Sequence, residues 1–364
     1  MMRGLGTFLL GVLLMTAVPA HAEFRVETVA EGLEHPWSIA FLPDGRALVT
    51  ERPGRLRVIE NGALREAPVE GVPAVFHSGQ SGLLEVLPAA DFERSGVLFL
   101  SFVHGDKNAN HTRIVRARFD GQRLTDVQPI FTTHPSKAGD AHAGGRMLLL
   151  PDGTLMMGLG DGFFFREESQ KLDSHMGTIV RIHTDGSVPK DNPFVGRAGA
   201  LPEIYSYGHR HVQGLVYDAA RERIYAHEHG PRGGDELNVI TPGTNYGWPL
   251  VSFGRDYSRA LITPFTRMTG MEQPVLQWTP SIAPAGLALY EGEAFPGWNG
   301  NLFVAALAEK SLRRIPMAGG APGAQEILLE DGGERIRDVR VGPGGALYVL
   351  TDESDGRVLR LVPN

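Results

Sequence analysis

Residues 37–45 read WSIAFLPDG, and two further short apolar runs follow, ALVT at 47–50 and GRLRVI at 54–59. Apolar runs of this length are typical of β-strands and are too short for helices. Asp-Gly between two such runs favours a tight hairpin, because both residues accept the positive φ angles that the turn needs. The stretch therefore predicts a small antiparallel sheet.

The same unit recurs along the chain, and five later copies begin near residues 82, 145, 213, 285 and 336. Repeats of this size, each about one four-stranded sheet, are typical of propeller blades arranged around a channel. We therefore predict an all-β, six-bladed β-propeller that forms a single domain over residues 23–364. A β-sandwich or a solenoid is the alternative. The extra run FRVETV at 24–29 is expected to complete the final blade and close the ring.

Long polar, glycine-rich insertions separate some of the repeats, at 163–176, 183–208 and 231–280. Irregular loops of this length in a compact domain usually have a function, such as binding a ligand. We therefore expect long inter-strand loops to form the functional site at one end of the channel.

The first residues have the features of a secretory signal: Arg3, an apolar run at 5–18, and an Ala-His-Ala cleavage site at 20–22. They predict a signal peptide over residues 1–22 and a periplasmic protein without a membrane span, because the apolar run is short and interrupted by glycine. The chain has no cysteine, so its stability must come from a core rather than from disulfides. A net charge of -7 argues against nucleic acid as a partner.

A single histidine, His142, lies within the run of small residues GDAHAGGR at 139–146. Small residues let a ligand approach the backbone closely, and a neutral imidazole accepts a proton near neutral pH. We predict that His142 is a general base for a substrate hydroxyl. A histidine without any chemical role is the alternative.

Several cationic and amide side chains are candidates for holding an anionic ligand. Gln80, in the loop HSGQSGL at 77–83, can donate to a bound carbonyl, and Arg210 can hold a carboxylate through two hydrogen bonds. Arg335 and Arg337 share one face of a strand, which favours a polycarboxylate between their guanidinium groups. Solvated surface positions are the alternative, and no phosphate loop or nucleotide fingerprint is present.

Two metal-binding interpretations compete for residues 209–238. His209 and His211, together with His227 and His229, form two His-x-His pairs that suit a transition metal. The segment EHGPRGGDELN at 228–238 instead combines a Gly-Pro kink, which exposes main-chain carbonyls, with carboxylates that suit Ca²⁺. No obvious carboxylate completes a set around the histidines, so we favour calcium. An ordinary polar turn is the remaining alternative.

Eight segments, taken together and in this order, resemble the soluble quinoprotein sugar dehydrogenases of the glucose/sorbosone dehydrogenase family. The resemblance covers nearly all of the mature chain. The segments are GQSGL at 79–83, residues 142–153, LGD at 159–161, YGHR at 207–210, residues 228–238, NYGWP at 245–249, residues 278–286 and RIRD at 335–338.

This resemblance implies a propeller that holds pyrroloquinoline quinone (PQQ) and Ca²⁺ over the channel mouth and oxidises the anomeric carbon of aldose sugars to lactones. His142 would take the proton of the anomeric hydroxyl, a hydride would pass to the quinone C5, and an external electron acceptor would reoxidise the quinone. The implied cofactor-binding positions are Gln80, Arg210, His211, Arg335 and Arg337. The implied calcium ligands are the main-chain carbonyls of Gly230 and Pro231, which serve the quinone site, and Glu236 with the main chain of Tyr246 at a second site.

The chain also departs from the family pattern. Family members often carry Asp where this chain has Ala141, Asn where it has His211, and Lys where it has Ala308, although Lys310 shares that strand face if the strand continues. Two rival functions therefore remain: a calcium-dependent lactonase or similar hydrolase, and a non-enzymatic binding propeller that has lost the quinone. Arginines facing the channel suit an anionic cofactor better than a hydrolytic metal site.

Overall fold

The computed structural model describes residues 24–364, so the predicted signal peptide at 1–22 lies outside the described residues. Within this range the strands form six four-stranded antiparallel sheets and one small two-stranded hairpin. This arrangement confirms the predicted all-β, six-bladed propeller. Among the described residues, helical structure is confined to α1 (Phe92–Ser95) and four short 3₁₀ turns, Arg166–Gln170, Pro296–Trp298, Glu330–Gly332 and Pro343–Gly345. Across residues 24–364, no helix has the length and apolar character needed to cross a membrane.

Strand β1 (Phe24–Leu33) precedes the first blade, and blades 1 to 5 then run in chain order from the innermost strand outward. Blade 1 contains β2 (Pro36–Phe41), β3 (Ala47–Glu51), β4 (Arg55–Glu60) and β5 (Ala63–Leu64). Blade 2 contains β6 (Leu83–Pro88), β7 (Val97–Gly105), β8 (Asn110–Phe119) and β9 (Leu124–Thr132). Blade 3 contains β10 (Gly144–Leu149), β11 (Thr154–Leu159), β12 (Thr178–His183) and β13 (Ile204–Tyr207).

The remaining blades follow the same plan. Blade 4 contains β14 (Val212–Asp218), β15 (Arg223–Glu228), β16 (Asp235–Ile240) and β17 (Leu276–Trp278). Blade 5 contains β18 (Pro284–Leu289), β19 (Leu302–Ala306), β20 (Ser311–Ile315) and β23 (Glu326–Leu328), and the hairpin of β21 (Met317–Ala318) and β22 (Ala321–Pro322) lies between its last two strands in the chain. Blade 6 contains β24 (Ile336–Val341), β25 (Leu347–Thr351), β26 (Gly356–Pro363) and β1.

The ring closes through the pairing of β1 with β26. The two strands are antiparallel, with Val26 opposite Leu361 and Thr28 opposite Leu359. On the inner side of the ring, β24 of blade 6 packs against β2 of blade 1. The prediction that residues 24–29 complete the final blade is therefore confirmed.

Apolar clusters fill the interfaces between neighbouring blades. Phe99 and Ile114 of blade 2, for example, pack against Met147 and Met157 of blade 3, and all four are essentially fully buried. Both faces of each sheet are covered in this way, so second strands such as β7, β11 and β19 read as nearly continuous apolar runs instead of alternating with polar residues. Burial of each such side chain stabilises the fold by roughly 1.5–3 kcal/mol.

The predicted insertions are less irregular than expected. The stretch 183–208 contains β13, and the stretch 231–280 contains both outer strands of blade 4. These strands have only three to six residues and are interrupted by glycine- and proline-rich turns, so their pattern was too short to separate from loop sequence.

Two sets of strand ends meet at one face of the propeller. The innermost strands β10, β14 and β24 begin immediately after the segments that carry His142, His211 and Arg335. The second strands β11 and β25 end just before Asp161 and Asp352. Neighbouring strands are antiparallel, so the start of one and the end of the next lie at the same edge of the sheet. Side chains that are remote in sequence are thereby gathered at one mouth of the channel.

A buried ionic network lies deeper in the channel. Arg146 of β10 is 1% exposed, and its Nη1 lies 3.0 Å from Asp338 Oδ1 and 3.3 Å from Glu85 Oε2. Its guanidinium also stacks over the Trp37 ring, 4.0 Å from the centroid. Arg340 reaches both carboxylates from β24. The innermost strands of blades 2, 3 and 6 are therefore joined by charge as well as by apolar packing.

Candidate functional site

A cavity of about 520 Å³ opens at this face, and we call it the arginine cavity. Its lining includes Gln80, His211, Arg335 and Arg337, four of the five predicted cofactor-binding residues. The fifth, Arg210, lines a neighbouring cavity of about 410 Å³. This second space, the aromatic cavity, is defined by the rings of Phe163, Phe164, Trp248 and Tyr257, and Tyr257 belongs to the lining of both.

His142 is hydrogen-bonded to Asp161, which lines the aromatic cavity, and its ring stacks on that of His211, which lines the arginine cavity. The Nδ1 of His142 lies 2.7 Å from Asp161 Oδ1, and these two side chains are 4% and 1% exposed. The Asp161 carboxylate also accepts hydrogen bonds from the Phe163 N–H and the Trp248 Nε1–H, each at 2.8 Å. An ionised carboxylate only accepts, so the proton of the neutral imidazole lies on Nδ1 and the lone pair lies on Nε2.

The backbone around His142 holds an unusual conformation. His142 has φ +50°, and its N–H donates to Gln80 Oε1 at 2.9 Å. Gly160 packs against the same turn so closely that a Cβ there would lie 2.2 Å from the His142 carbonyl oxygen. Gly160, which lies outside the run of small residues at 139–146, therefore lets two backbone segments touch. Gln80 orients the histidine backbone, a role that sequence reasoning missed.

Phe163 is a second strained residue at the site. A bulky side chain with φ above zero is rare, yet Phe163 has φ +71° and is 36% exposed. Its ring meets the His142 imidazole edge to face, with centroids 5.0 Å apart. Backbone strain of this kind persists only where the surrounding structure enforces it, and it concentrates at functional sites.

Burial keeps the histidines at the site neutral. It lowers the pKa of His142, and the hydrogen bond to Asp161 opposes that shift only in part. The pKa values of His211 and His229 are well below the ordinary value, because both rings are buried and neighbouring histidines and Arg210 disfavour further positive charge. Burial acts to raise the pKa of Asp161, but the His142 hydrogen bond, the charges of His142 and Arg210 and the Phe163 N–H together lower it, and the carboxyl remains ionised.

Three arginines surround the Asp352 carboxylate in the lining of the arginine cavity. The carboxylate is ion-paired with Arg337, and Arg335 Nη2 and Arg52 Nη2 lie 3.6 and 3.7 Å from it. Although burial acts to raise it, Arg337 and Arg52 hold the pKa of Asp352 well below its usual range. The Arg337 Nε is buried without a hydrogen-bond partner. This donor and the excess of guanidinium groups fit an anionic ligand with several carboxylates.

The four predicted calcium-ligand residues, Gly230, Pro231, Glu236 and Tyr246, line one narrow space of about 10 Å³. A space of this size holds a single water or ion. Burial and the nearby Glu228 carboxylate raise the pKa of Glu236 to about 8, so this pair has more negative charge than its surroundings neutralise. A cation would remove that conflict, and the donor set fits calcium in this respect.

Two features of this region are unfavourable for calcium binding in the conformation of this structure. Arg210 Nη1 donates to the Gly230 carbonyl at 2.7 Å, so in this structure a guanidinium holds the oxygen expected to bind calcium. Within residues 24–364, no group of three or more His, Cys, Asp or Glu side chains is arranged to hold a metal ion. A calcium site here would depend on main-chain carbonyls and on movement of Arg210.

The four histidines of the two His-x-His pairs do not converge on a common point. His209 bonds to Ser206 Oγ through Nε2 and to Glu228 Oε1 through Nδ1, each at 2.9 Å. The Nε2 atoms of His227 and His229 contact the carbonyls of Gly286 and Pro284. These bonds engage the ring nitrogens that a transition metal would need.

Sequence reasoning missed the roles of Asp161, Arg52 and Asp352. Asp161 was visible as part of the motif LGD, but nothing in the sequence connected it to His142. The suggestion that Lys310 shares a strand face with Ala308 is wrong, because β19 ends at Ala306 and Lys310 lies in the following turn with φ +59°.

The fold and the site define a propeller with a buried histidine–aspartate pair beside a cationic cavity at the channel mouth. The chain belongs to the glucose/sorbosone dehydrogenase family, whose model matches residues 33–360. The aldose sugar dehydrogenase of Escherichia coli is 41% identical over 350 residues, which cover 94% of this chain and 94% of that protein.

Two solved structures extend the comparison. The soluble aldose sugar dehydrogenase from Escherichia coli in the apo-form aligns with a TM-score of 0.91 at 40% identity, covering 94% of this chain and 100% of that chain. The PQQ-bound form of aldose sugar dehydrogenase from Streptomyces coelicolor aligns with a TM-score of 0.77 at 32% identity, covering 94% of this chain and 99% of that chain.

Proposed function

We propose that this protein is a quinoprotein dehydrogenase that oxidises the anomeric carbon of aldose sugars to lactones, with PQQ as its cofactor and Ca²⁺ bound nearby. The observation that carries the proposal is the His142–Asp161 pair, which lies beside a cavity lined by Arg335 and Arg337. One side of the site supplies a base and the other holds an anion. The family membership and the PQQ-bound relative support the same assignment.

The residues fit the cofactor by charge and by space. PQQ carries three carboxylates, which Arg335, Arg337 and Gln80 would hold through charge-assisted and neutral hydrogen bonds. His211, whose Nδ1 is buried without a partner, would donate or accept one further hydrogen bond. When bound, the quinone supplies a two-electron acceptor for the hydride of the sugar carbon.

His142 is the proposed base. Its Nε2 lone pair accepts the proton of the anomeric hydroxyl, and the imidazolium that forms is stabilised by the Asp161 carboxylate at Nδ1. Asp161 does not take the proton itself, because its own pKa is lowered by this contact although burial opposes the shift. The low exposure of both side chains excludes water and strengthens the electrostatic stabilisation.

Calcium would be held by the carbonyls of Gly230 and Pro231 and, at a second position, by Glu236 and the main chain of Tyr246. Carbonyl and carboxylate oxygens are the ligands that Ca²⁺ prefers. The raised pKa of Glu236, about 8, supports a missing positive partner at the second position. At the first position Arg210 must release the Gly230 carbonyl, and the carboxylate of a bound cofactor offers its guanidinium a new partner.

We also propose that the protein works in the periplasm as a single domain over residues 23–364, after removal of residues 1–22. Arg3, the apolar run and the Ala-His-Ala site support this location. An external electron acceptor would reoxidise the cofactor.

A reconstitution experiment tests the function. The purified protein is incubated with PQQ and Ca²⁺ and desalted, and its absorbance is measured before glucose and other aldoses are supplied with an artificial electron acceptor dye. We expect retained quinone absorbance and sugar-dependent dye reduction. Retained quinone without turnover on any aldose would leave only a binding function, and loss of the quinone on desalting together with no turnover would refute the proposal.

The hydrolase alternative has less support. A metal-bound water would need side-chain carboxylates directed at the cavity, whereas three arginines face it and Asp352 is already paired with them. Lactone hydrolysis in the presence of Ca²⁺ alone, without PQQ, would favour this alternative over the dehydrogenase.

A further inference from the structure

A third arginine, Arg52, lies beside Arg335 and Arg337 in the lining of the arginine cavity. It follows β3 and comes from blade 1, whereas the other two come from blade 6. Its side chain is 13% exposed, and its Nε is buried without a hydrogen-bond partner. A buried guanidinium with an unused donor is uncommon, since such groups are normally satisfied.

Protein contacts use only some of the hydrogen-bond donors of the Arg52 guanidinium. Nη1 donates to the Gly79 carbonyl at 2.6 Å, and Nη2 lies 3.7 Å from Asp352 Oδ1, too far for a good hydrogen bond. Glu353 also lines the cavity, but the ion pairs of all three arginines in the described structure are with Asp352. The guanidinium thus has capacity for another acceptor.

The charges around Asp352 are unbalanced. Three guanidinium groups contribute three positive charges and Asp352 contributes one negative charge, which leaves an excess of two. Glu353 is the other carboxylate in the cavity lining, which contains no lysine, so the lining as a whole still has one more positive than negative charge. Guanidinium groups held together in a partly desolvated wall repel one another, and a ligand with several carboxylates relieves that repulsion.

We propose that Arg52 is a further cofactor-binding residue, which donates to a carboxylate of the anionic quinone alongside Arg335 and Arg337. The inference rests on the proposed function. It adds a contact from blade 1, so the cofactor bridges blades 1 and 6. Three separated cationic contacts fix the orientation of a planar tricarboxylate, whereas two adjacent ones on a single strand leave it free to pivot.

Arg52 also has a structural role that the test must separate from binding. Its contact with the Gly79 carbonyl holds the loop that carries Gln80. A variant that disturbs this loop would weaken binding of any quinone, charged or not. A variant that removes a carboxylate contact would weaken binding only of the charged form.

The experiment measures equilibrium binding of PQQ to the cofactor-free protein with Ca²⁺ present, by quenching of tryptophan fluorescence. Arg52→Met removes the charge, Arg52→Lys keeps it, and Arg118→Met, at an exposed side chain of β8, serves as the control. The same titrations are repeated with the trimethyl ester of PQQ and over a range of salt concentrations. No turnover is needed.

We expect Arg52→Met to weaken PQQ binding by roughly 10- to 100-fold, the effect of one lost charge-assisted hydrogen bond. Arg52→Lys should lose less, and the control should match the wild type. The ester should bind wild type and Arg52→Met about equally, and the salt dependence of PQQ binding should be shallower in Arg52→Met.

Two results would overturn the inference while leaving the proposed function intact: PQQ affinity of Arg52→Met equal to that of the wild type, or equal losses for PQQ and for its ester. Should Arg52→Met fail to fold, Arg52→Gln, which also removes the charge, takes its place in the ester and salt titrations and decides the question in the same way. A wild-type protein that binds no PQQ refutes the proposed function itself, and the inference with it.

Discussion

The imidazole rings of His142 and His211 are stacked, with their centroids 4.5 Å apart and their planes 15° apart. A positive charge on either ring would be buried next to the other, and both pKa values lie below the ordinary value of 6.5 because burial disfavours the charged form. The base of the proposed reaction is thereby kept in the form that accepts a proton.

The stacking leads to a prediction about pH. His142 acts when neutral, so kcat/KM should rise as pH increases through its lowered pKa and level off above it. The pH profile of kcat/KM for an aldose should therefore show an acid limb with an apparent pKa below 6.5. An acid limb centred above about 7 would contradict a buried neutral base.

Replacement of the base should abolish turnover while the cofactor stays bound. We expect His142→Ala to lower kcat by roughly 10²- to 10⁴-fold, the usual contribution of a general base. PQQ affinity should change little, because the arginines that hold it are untouched. The exposed His183→Ala is a matched control and should retain normal kcat; near-normal kcat in His142→Ala would remove that residue from the mechanism.

Asp161 should matter for kcat more than for KM. In Asp161→Asn the amide keeps the size of the side chain but can donate to Nδ1, which moves the imidazole proton to Nε2 and blocks the base. We expect kcat to fall by roughly 10²- to 10⁴-fold with nearly normal PQQ binding. A change confined to KM would indicate that Asp161 only shapes the sugar pocket.

Glu236 should make stability depend on pH and on calcium. Its folded pKa of about 8 lies above the unfolded value of 4.5, because of burial and the neighbouring Glu228. The folded state therefore retains a proton that the unfolded state loses, so in EDTA the melting temperature should decline as pH rises from about 4.5 to about 8. Glu236→Gln, which cannot ionise, should remove most of this decline.

Calcium supplies the second half of this test. At pH 8 the added ion should raise the melting temperature of the wild type and have a smaller effect on Glu236→Gln, because the carboxylate that pairs with the ion is absent. Equal stabilisation of the two proteins would place the calcium elsewhere. Differential scanning fluorimetry over a pH series provides both measurements.

The channel network should be important for stability. Arg146→Met removes the charge that lies between Glu85 and Asp338, and both carboxylates are about 1% exposed or less. Leaving buried charges without this partner should lower the free energy of unfolding by about 3–5 kcal/mol. Chemical denaturation measures the change; Arg118→Met, whose ion pair with Asp126 is exposed, should shift it by less than about 1 kcal/mol.

The sequence predicted the architecture well because the repeat is strong. Asp-Gly turns between apolar runs identified blades 1 and 3, and the run at 24–29 correctly indicated closure of the ring. Blade 4 was harder, because its third and fourth strands are short and lie about 35 residues apart within glycine- and proline-rich sequence.

The sequence predicted only some of the residues of the site. His142, Gln80 and the two arginines at 335 and 337 lie in recognisable motifs, but nothing in the sequence identified the carboxylates that pair with His142 and Arg337. Asp161 follows His142 by 19 residues, and Asp352 follows Arg337 by 15, so each pair meets only because antiparallel strands return to the same face. No sequence motif indicated that Arg52 could bind a ligand. Its proposed role depends on its position near Asp352 and Arg335 of blade 6, and folding alone brings these residues together.

The pairing of β1 with β26 also governs the order in which the molecule can be completed. Blade 6 takes its outermost strand from residues that precede blade 1 and its neighbouring strand from the last residues of the chain. Until those last residues are available, the growing polypeptide is an open arc with an unpaired strand edge, which is the kind of surface that recruits other chains into aggregates. Closure of the ring thus requires both termini of the propeller, and a chain without β26 leaves the edge of β1 unpaired.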